Sequence, residues 1–342
     1  MLIRSVVALV SAALVTSAVA AQELRTVRVA VVNLTTDLAF YIAQKRGYLR
    51  EEGLTAEFVY FDSGAKMIAP LGAGQIDAGG GATSAGLYNA VERGIDLRVV
   101  ADKGTNREPY SYKALMVRKA LVEGGAFASL ADLKGRKAAV VAKGAADESV
   151  LHQAILKGGL ADAEVERVFL PFAQHLVAFQ NGGIDAAISG EPEITQQIRA
   201  GVAVRFAGIS AFYPVHQTAV LLYGGKFAQD GAAATRFLKA YLRAVRDYDR
   251  ALKDGRIAGP GADDIVQLLS EMTGIKDQSL LREAVPPFID PNGALTTQSM
   301  QTDLDYFKSI GLVKGDTTVA RVVDRSFLET VVPQLGRYER QK

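Results

Sequence analysis

Two junctions between a loop and a helical pattern hold the polar residues best placed for chemistry. At Gly79-Gly80-Gly81-Ala82-Thr83-Ser84 a glycine-rich stretch runs into a helix. Free backbone N–H groups and hydroxyls at such a place suit a carboxylate, sulfonate or phosphate. Ser and Thr also cap helices that bind nothing, so Gly81, Thr83 and Ser84 are candidates with two readings. The second junction, Gly144 to Ser149, contains Asp147 and Glu148, which would repel an anion. Favourable charge on a helix N-terminus accounts for those two, and only Gly144 stays a candidate. Glu191, just before Pro192, is the most discriminating acidic residue. A carboxylate desolvated in a cleft needs compensation, which a ligand nitrogen would supply; on the surface Glu191 is one more solvated charge. Asn33, Thr35, Thr36 and Asp37 follow the first strand pattern, where open α/β sheets present ligands. Asp37 could equally cap the next helix. Phe172 and Tyr213 are candidates for stacking, and Gln174, His216 and Gln217 for polar contact; all five have a structural reading too.

No catalytic constellation accompanies these residues. His152, His175 and His216 lie far apart without H-x-x-x-H or H-E-x-x-H spacing, so neither a metal site nor a cofactor is expected. Gly72-Ala73-Gly74-Gln75-Ile76-Asp77 fails G-x-G-x-x-G at its last position, and G-x-S-x-G and Walker A patterns are absent. The chain has no Cys, which excludes thiol catalysis, Cys-based metal sites and disulfides.

The elements that must position the candidates are repeated. Leu71-Gly72-Ala73-Gly74-Gln75-Ile76-Asp77-Ala78 returns as Phe179-Gln180-Asn181-Gly182-Gly183-Ile184-Asp185-Ala186, an offset of 108 residues. The frame extends upstream, with Phe61 over Phe169 and Lys66-Met67-Ile68 over Gln174-His175-Leu176. Solenoid repeats have periods of roughly 20–50 residues, so this spacing describes two related lobes. In the frame Thr83 falls opposite Glu191, which puts donors on one jaw and an acceptor on the other. The equivalent loops would face each other across a cleft.

Taken in order, Thr26 to Val32 alternates and is β-branched, a first strand. Leu38 to Gly47 is a helix, Ala56 to Phe61 a strand, Lys66 to Leu71 a helix, Ile76 to Gly79 a strand. A helix runs from Thr83 or Ser84 to Glu92, and Leu97 to Ala101 is a strand, giving a mostly parallel sheet with right-handed crossovers. Lys103 to Tyr112, broken by Gly104, Asn106 and Pro109, is the first crossing between lobes. Ala114–Val117, Lys137–Val141, Glu164–Phe169, Asp185–Ile188 and Val202–Phe206 are the strands of the second lobe, and Thr218–Tyr223 is an apolar strand placed to pair with Ala114–Val117. From Gly231 the pattern is helical, with Thr235–Leu252, Asp263–Thr273, Ser299–Ile310 and Asp324–Leu335. Such a tail must pack on an existing sheet, and the first lobe is expected to receive it.

Length and composition agree. A chain of 342 residues suggests about two domains. Its 49% hydrophobic and 22% charged content is ordinary for a soluble protein. The net charge of +2 with dispersed Lys and Arg gives no nucleic-acid footprint. Met1-Leu2-Ile3-Arg4, the apolar run after it and Ala18-Val19-Ala20 read as a signal peptide cleaved near Ala20. The apolar run is too short to span a bilayer. An exported, periplasmic protein without a lipid anchor is expected.

At this point the residues match a family. Val27–Val32 with its Asn33–Asp37 loop, Ala39-Phe40-Tyr41-Ile42-Ala43-Gln44-Lys45-Arg46-Gly47-Tyr48-Leu49, Glu51-Glu52-Gly53-Leu54, Leu71–Ala78, Asp132-Leu133-Lys134-Gly135-Arg136, Lys143-Gly144 and Gly183-Ile184-Asp185-Ala186 occur in order. Together they resemble the nitrate/sulfonate/taurine-type substrate-binding proteins of ABC importers, relatives of the thiamine-pyrimidine binding proteins. The resemblance implies an α/β type II periplasmic-binding fold, two α/β lobes with a ligand cleft between them. The expected division is 1–20 signal peptide, 21–107 first lobe, 108–226 second lobe, 227–342 helical completion of the first lobe. The implied partners are a small-molecule ligand and an inner-membrane ABC permease, with the protein a monomer. A departure concerns the ligand: Trp, usual in this family where Ser189-Gly190-Glu191-Pro192 stands, is absent from the whole chain. A small sulfonate or carboxylate ranks first and a flat heteroaromatic, such as a thiamine pyrimidine or flavin precursor, second. An enzyme on the same fold is a further alternative, but the Cys-rich cluster of the pyrimidine-synthesising relatives has no counterpart here. A receptor sensing domain would need an output segment, which the sequence does not contain.

Overall fold

The computed structural model describes residues 23–340, so the leader predicted for residues 1–20 lies outside the described residues. Ten strands form two five-stranded sheets: β1 (Arg25–Val31), β2 (Leu54–Tyr60), β3 (Ala78–Gly81), β4 (Leu97–Asn106), β5 (Lys113–Arg118), β6 (Lys137–Val140), β7 (Glu166–Phe169), β8 (Ala186–Gly190), β9 (Ala203–Gly208) and β10 (His216–Gly224). The first sheet runs β2-β1-β3-β10-β4 and the second β7-β6-β8-β5-β9. The two orders superimpose place for place. In each, three parallel strands are followed by one antiparallel to its neighbours, β10 in the first lobe and β5 in the second.

The sequence repeat therefore marks β3 and β8. Its Asp has the same work in both copies. Asp77 accepts from the Arg28 backbone N–H at 2.8 Å and pairs with the Arg28 guanidinium. Asp185 accepts from the Lys137 N–H at 3.1 Å and pairs with Arg118. Each thus holds the backbone of the neighbouring parallel strand. One upstream correspondence shifts by a residue. Tyr60 pairs with Val31 as Phe169 pairs with Val140, so Tyr60 rather than Phe61 is the counterpart of Phe169.

A second correction concerns Thr218–Tyr223. This stretch does not pair with Ala114–Val117; it lies in β10, between β3 and β4 of the first sheet, while β5 already has β8 and β9 beside it. All nine residues of β10 are buried. An apolar run of this kind needs cover on both faces, and the centre of the first sheet provides it. The return crossing consequently falls at residues 209–215, not after 226, and the first occupies residues 107–112.

The helices after Gly231 complete the first lobe. Gly231–Arg250, capped by Asp230, lays Phe237, Leu238, Tyr241, Leu242 and Val245 against Val29, Val31 and Phe40. Thr297–Ser309 packs Met300, Leu304 and Phe307 on the other side, against Val99, Val220 and Leu222. The second lobe places Ala146–Lys157 on one face of its sheet, through Val150, Leu151 and Ile155. Phe172–Gln180 and Glu193–Arg199 cover the other, through Phe179 and Ile194. Among the described residues no helix is long and apolar enough to cross a membrane.

Candidate ligand-binding cleft

The carboxyl ends of β1 and β3 face those of β6 and β8, and a cavity of about 470 Å³, mouth included, lies between the lobes. The first lobe contributes Thr36, the Ser63–Ala65 loop, Gly80 to Ala82 and Ser84; the second contributes Val141, the Ala145–Asp147 turn and Phe172. Lys103, Tyr112, Lys113 and Thr218 come from the strands and the crossing that join the lobes. Two helices start at this cavity. Ser84 caps Ala85–Glu92, accepting from the Leu87 N–H at 3.2 Å, and Ala146–Lys157 begins opposite. Their partial positive ends share one small space.

The glycines of the first-lobe loop are required by close approach. A Cβ on Gly64 would sit 2.6 Å from the Ala82 backbone nitrogen. On Gly80 it would sit 2.2 Å from Lys103 Cε and 2.7 Å from the Phe40 ring. Gly80 thus opens the path along which the Lys103 side chain crosses the sheet. Its ammonium reaches Thr36 Oγ1 and Asp37 Oδ1, each at 2.8 Å, and neither Lys103 nor Asp37 is exposed. Burial lowers the Lys103 pKa, and the Asp37 carboxylate opposes that shift. Asp37 is further held by the Val32 N–H, 2.9 Å from its other oxygen.

A second lysine–carboxylate pair stands on the other side. Lys113 binds Asp147 Oδ1, and its ammonium lies 4.8 Å from the centre of the Phe172 ring. Asp147 Oδ2 is buried without a hydrogen-bond partner among the described residues. The reading of Asp147 as simple helix-end charge is therefore incomplete: it stands in the first turn of its helix, but its carboxylate lines the cavity and neutralises Lys113.

Of the residues singled out from sequence, Thr36, Gly81, Ser84 and Phe172 line the cavity. Asp37 stands behind it, on Lys103. Thr83 is buried outside the lining. Gly144 takes part in contact between the lobes, its carbonyl accepting from the Ala85 N–H at 2.9 Å. Asn33 accepts from the Tyr41 hydroxyl, and Thr35 lies 3.4 Å from the Glu191 carbonyl. Gln174 is exposed on its helix.

The remaining four are committed elsewhere. Both Glu191 oxygens are occupied, one by Arg205 at 2.6 Å and the Val285 N–H at 3.2 Å, the other by the Thr195 N–H and hydroxyl. Burial raises its pKa, against the pull of Arg205. Its place in the repeat suggested a ligand contact; the pairing with Arg205 fills that valence from within the protein. Gln217 serves Asp102, donating at 2.6 Å, and burial pushes the Asp102 carboxyl up to about 7. Tyr213 and His216 both bind Asp303, at 3.1 and 2.9 Å, and His216 also contacts Thr218 Oγ1 at 2.7 Å.

Sequence reasoning missed Lys103, Tyr112 and Lys113, and set Asp147 aside as helix-end charge. A signal existed for the lysines: each adjoins an apolar strand at a crossing between the lobes, where a charged side chain has no ready route to solvent. Their carboxylates, 66 and 34 residues away, gave no hint of pairing.

Three comparisons complete the description. A family model described as the NMT1-like family matches residues 20–258. An Escherichia coli (strain K12) protein, named as binding aliphatic sulfonates, is 26% identical over 261 residues, covering 75% of each chain. The alkanesulfonate-binding protein of Xanthomonas axonopodis pv. citri, solved with MOPS, superposes with a TM-score of 0.69 at 20% identity, over 89% of this chain and 99% of that one. The periplasmic nitrate-binding protein of Synechocystis PCC 6803 superposes at 0.76 with 16% identity, over 92% of this chain and 89% of that one. The last two share the two-lobed periplasmic-binding fold.

Proposed function

This chain belongs to the NMT1-like family, and from that premise we propose that it is the periplasmic substrate-binding component of an ABC importer. It captures a small organic anion of sulfonate or carboxylate type by closing two lobes, and delivers it to a membrane permease. The observation that carries this reading is the interlobe cavity, where two buried lysines and the amino ends of two helices converge. The names of the relatives, which bind sulfonates and nitrate, support the same class of ligand. A heteroaromatic ligand ranks lower, because the Lys113 ammonium already lies against the Phe172 ring.

Binding between lobes shifts an open–closed equilibrium, and a permease recognises the closed form. Contacts between the lobes support this reading. Ser149 donates to Asp303 at 2.7 Å, His152 stacks on Tyr306 at 4.4 Å, and Arg199 pairs with Asp277 and Glu283. Export through the leader and action as a monomer belong to the same proposal.

The test is a thermal-shift panel of small sulfonates, carboxylates and oxyanions on the purified protein. A ligand at 100 times its Kd stabilises the fold by about 2.7 kcal/mol. No shift from any compound, together with measurable turnover of one, would refute the binding reading in favour of an enzyme.

A further inference from the structure

A chain of hydrogen bonds runs from the cavity into the first lobe, and the polarity of all but one of its links is fixed. At the cavity end the Lys113 N–H donates to Asn106 Oδ1 at 2.9 Å. That orients the Asn106 amide, whose Nδ2 donates to Thr218 Oγ1 at 2.5 Å. At the far end Asp303 Oδ1 accepts from Ser149 Oγ at 2.7 Å, and Oδ2 lies 2.9 Å from His216 Nε2. A carboxylate only accepts, so Nε2 carries a hydrogen. Between the two ends His216 Nδ1 and Thr218 Oγ1 lie 2.7 Å apart, and either can be the donor. All three residues of this segment, Thr218, His216 and Asp303, are buried.

The protonation of His216 decides which. A neutral imidazole with its hydrogen on Nε2 has only a lone pair on Nδ1. The Thr218 hydroxyl must then donate to His216, and it turns only lone pairs towards the cavity that Thr218 lines. A protonated imidazole donates from Nδ1 instead. Thr218 Oγ1 then accepts from both His216 and Asn106, and its own hydrogen is released. The His216 carbonyl, 3.4 Å away, is a poor acceptor for it. An anion in the cavity is served by the second arrangement and repelled by the first.

The charges agree. Lys103 carries Asp37 and Lys113 carries Asp147, so the lining is balanced before an anion arrives. The helix ends offset only part of a desolvated negative charge, and a proton on His216 supplies the rest. Asp303 and Tyr213 touch His216 directly, with Tyr88 behind Tyr213. Asp102 and Lys103 stand on the adjoining β4, and Tyr112, Lys113 and Asp147 line the cavity beyond Thr218.

We infer that His216 is a positioning residue for ligand capture: it takes up a proton as an anion binds, and so turns the Thr218 hydroxyl into a donor towards that anion. This rests on the solute-binding reading above and adds a pH dependence to it. A ligand that favours the protonated form binds more tightly as the pH falls, and a single proton limits the gain to about tenfold per pH unit. Asp303 fixes the tautomer that makes the switch possible, and through Ser149 the same carboxylate touches the second lobe.

The experiment is isothermal titration with ethanesulfonate and with nitrate, whose own charges do not change between pH 8 and pH 5.5. Bis-Tris, imidazole and Tris serve as buffers, because they contain no competing sulfonate. The dependence of the binding enthalpy on the buffer's ionisation enthalpy counts the protons taken up. The wild-type protein is expected to take up protons at pH 7 and to bind tenfold or more tightly at pH 5.5 than at pH 8. His216→Gln and Thr218→Val are each expected to abolish the uptake, and Thr218→Ser to keep it. Uptake by Asp102, whose carboxyl burial pushes up to about 7, would survive in His216→Gln. Circular dichroism checks the folding of each variant, and the wild-type measurement stands without them. Binding without proton uptake, or uptake unchanged in a folded His216→Gln protein, overturns the role of His216 and leaves the anion reading intact. Binding of neither anion at any pH overturns both.

Discussion

Lys103 Nζ lies 2.8 Å from Asp37 Oδ1 inside the first lobe, with neither side chain exposed to solvent. The pair ties β4 to the loop after β1 and sets one wall of the cleft. Removing one partner leaves the other charge buried alone, which costs about 3–5 kcal/mol. Lys103→Met is expected to lose stability on that scale in urea denaturation, and Lys103→Met combined with Asp37→Asn to recover part of it. A Lys103→Met protein as stable as the wild type would show that the pair does not hold the wall.

Gly64 tests the loop backbone. A methyl group there meets main-chain atoms of Gly81 and Ala82 rather than a movable side chain. Gly64→Ala is expected to lower stability by about 1–3 kcal/mol, read as a lower denaturation midpoint at unchanged slope. It is also expected to weaken any ligand, since Gly64, Gly81 and Ala82 all line the cavity.

Glu191 joins Arg205 of the second lobe to the Val285 backbone of the first. Glu191→Ala would orphan that N–H and both Thr195 donors and remove the acceptor of Arg205 Nη2, whose Nη1 keeps the Ser111 carbonyl. A loss of roughly 3 kcal/mol is expected, with Glu191→Gln losing less because its amide oxygen still accepts. Equal, small losses for both variants would mean that the network relaxes around the gap.

Acid sensitivity follows from His175. It is buried, with Ser189 Oγ 2.9 Å from Nδ1 and the Leu170 carbonyl 2.8 Å from Nε2. Burial lowers its pKa from 6.5 to about 4. Above pH 6.5 neither state is protonated; as the pH falls towards 4 the unfolded chain takes up the proton and the native one resists. Stability is lost over that window, by up to roughly 3 kcal/mol. Asp102, pushed up to about 7, acts with the opposite sign: its native form holds the proton more tightly, so falling pH favours folding. The difference between wild type and His175→Gln isolates the histidine, and its loss of stability between pH 7 and pH 4 is expected to be the smaller. Parallel profiles would rule the residue out.

Ser149 and Asp303 test closure. Their bond links the helix that carries Asp147 to a first-lobe helix. Ser149→Ala removes a contact worth about 1 kcal/mol from the closed form alone. The chain has no Cys, so spin labels at Lys66→Cys and Val177→Cys report the interlobe distance without background. Ser149→Ala is expected to move the distance distribution towards longer values; an unchanged distribution would remove Ser149 from the closure contacts.

What the sequence determined by itself is what local pattern and repetition encode. Strand and helix periodicities gave the α/β elements, and the repeat offset of 108 residues gave two equivalent lobes. The glycine-rich run located one wall of the cleft at Gly81 and Ser84, because close backbone approach and helix capping leave residue-level marks. What only the tertiary structure decided is pairing across long separations. β10 pairs with β3 and β4 because the first sheet offers an apolar strand cover on both faces, a choice its own residues do not express. Lys103 and Lys113 become cleft residues because the lobes bring Asp37 and Asp147 to them, and Glu191 leaves the list because Arg205 reaches it first. A charge in a sequence states what it can bind; burial and the nearest opposite charge determine what it does bind.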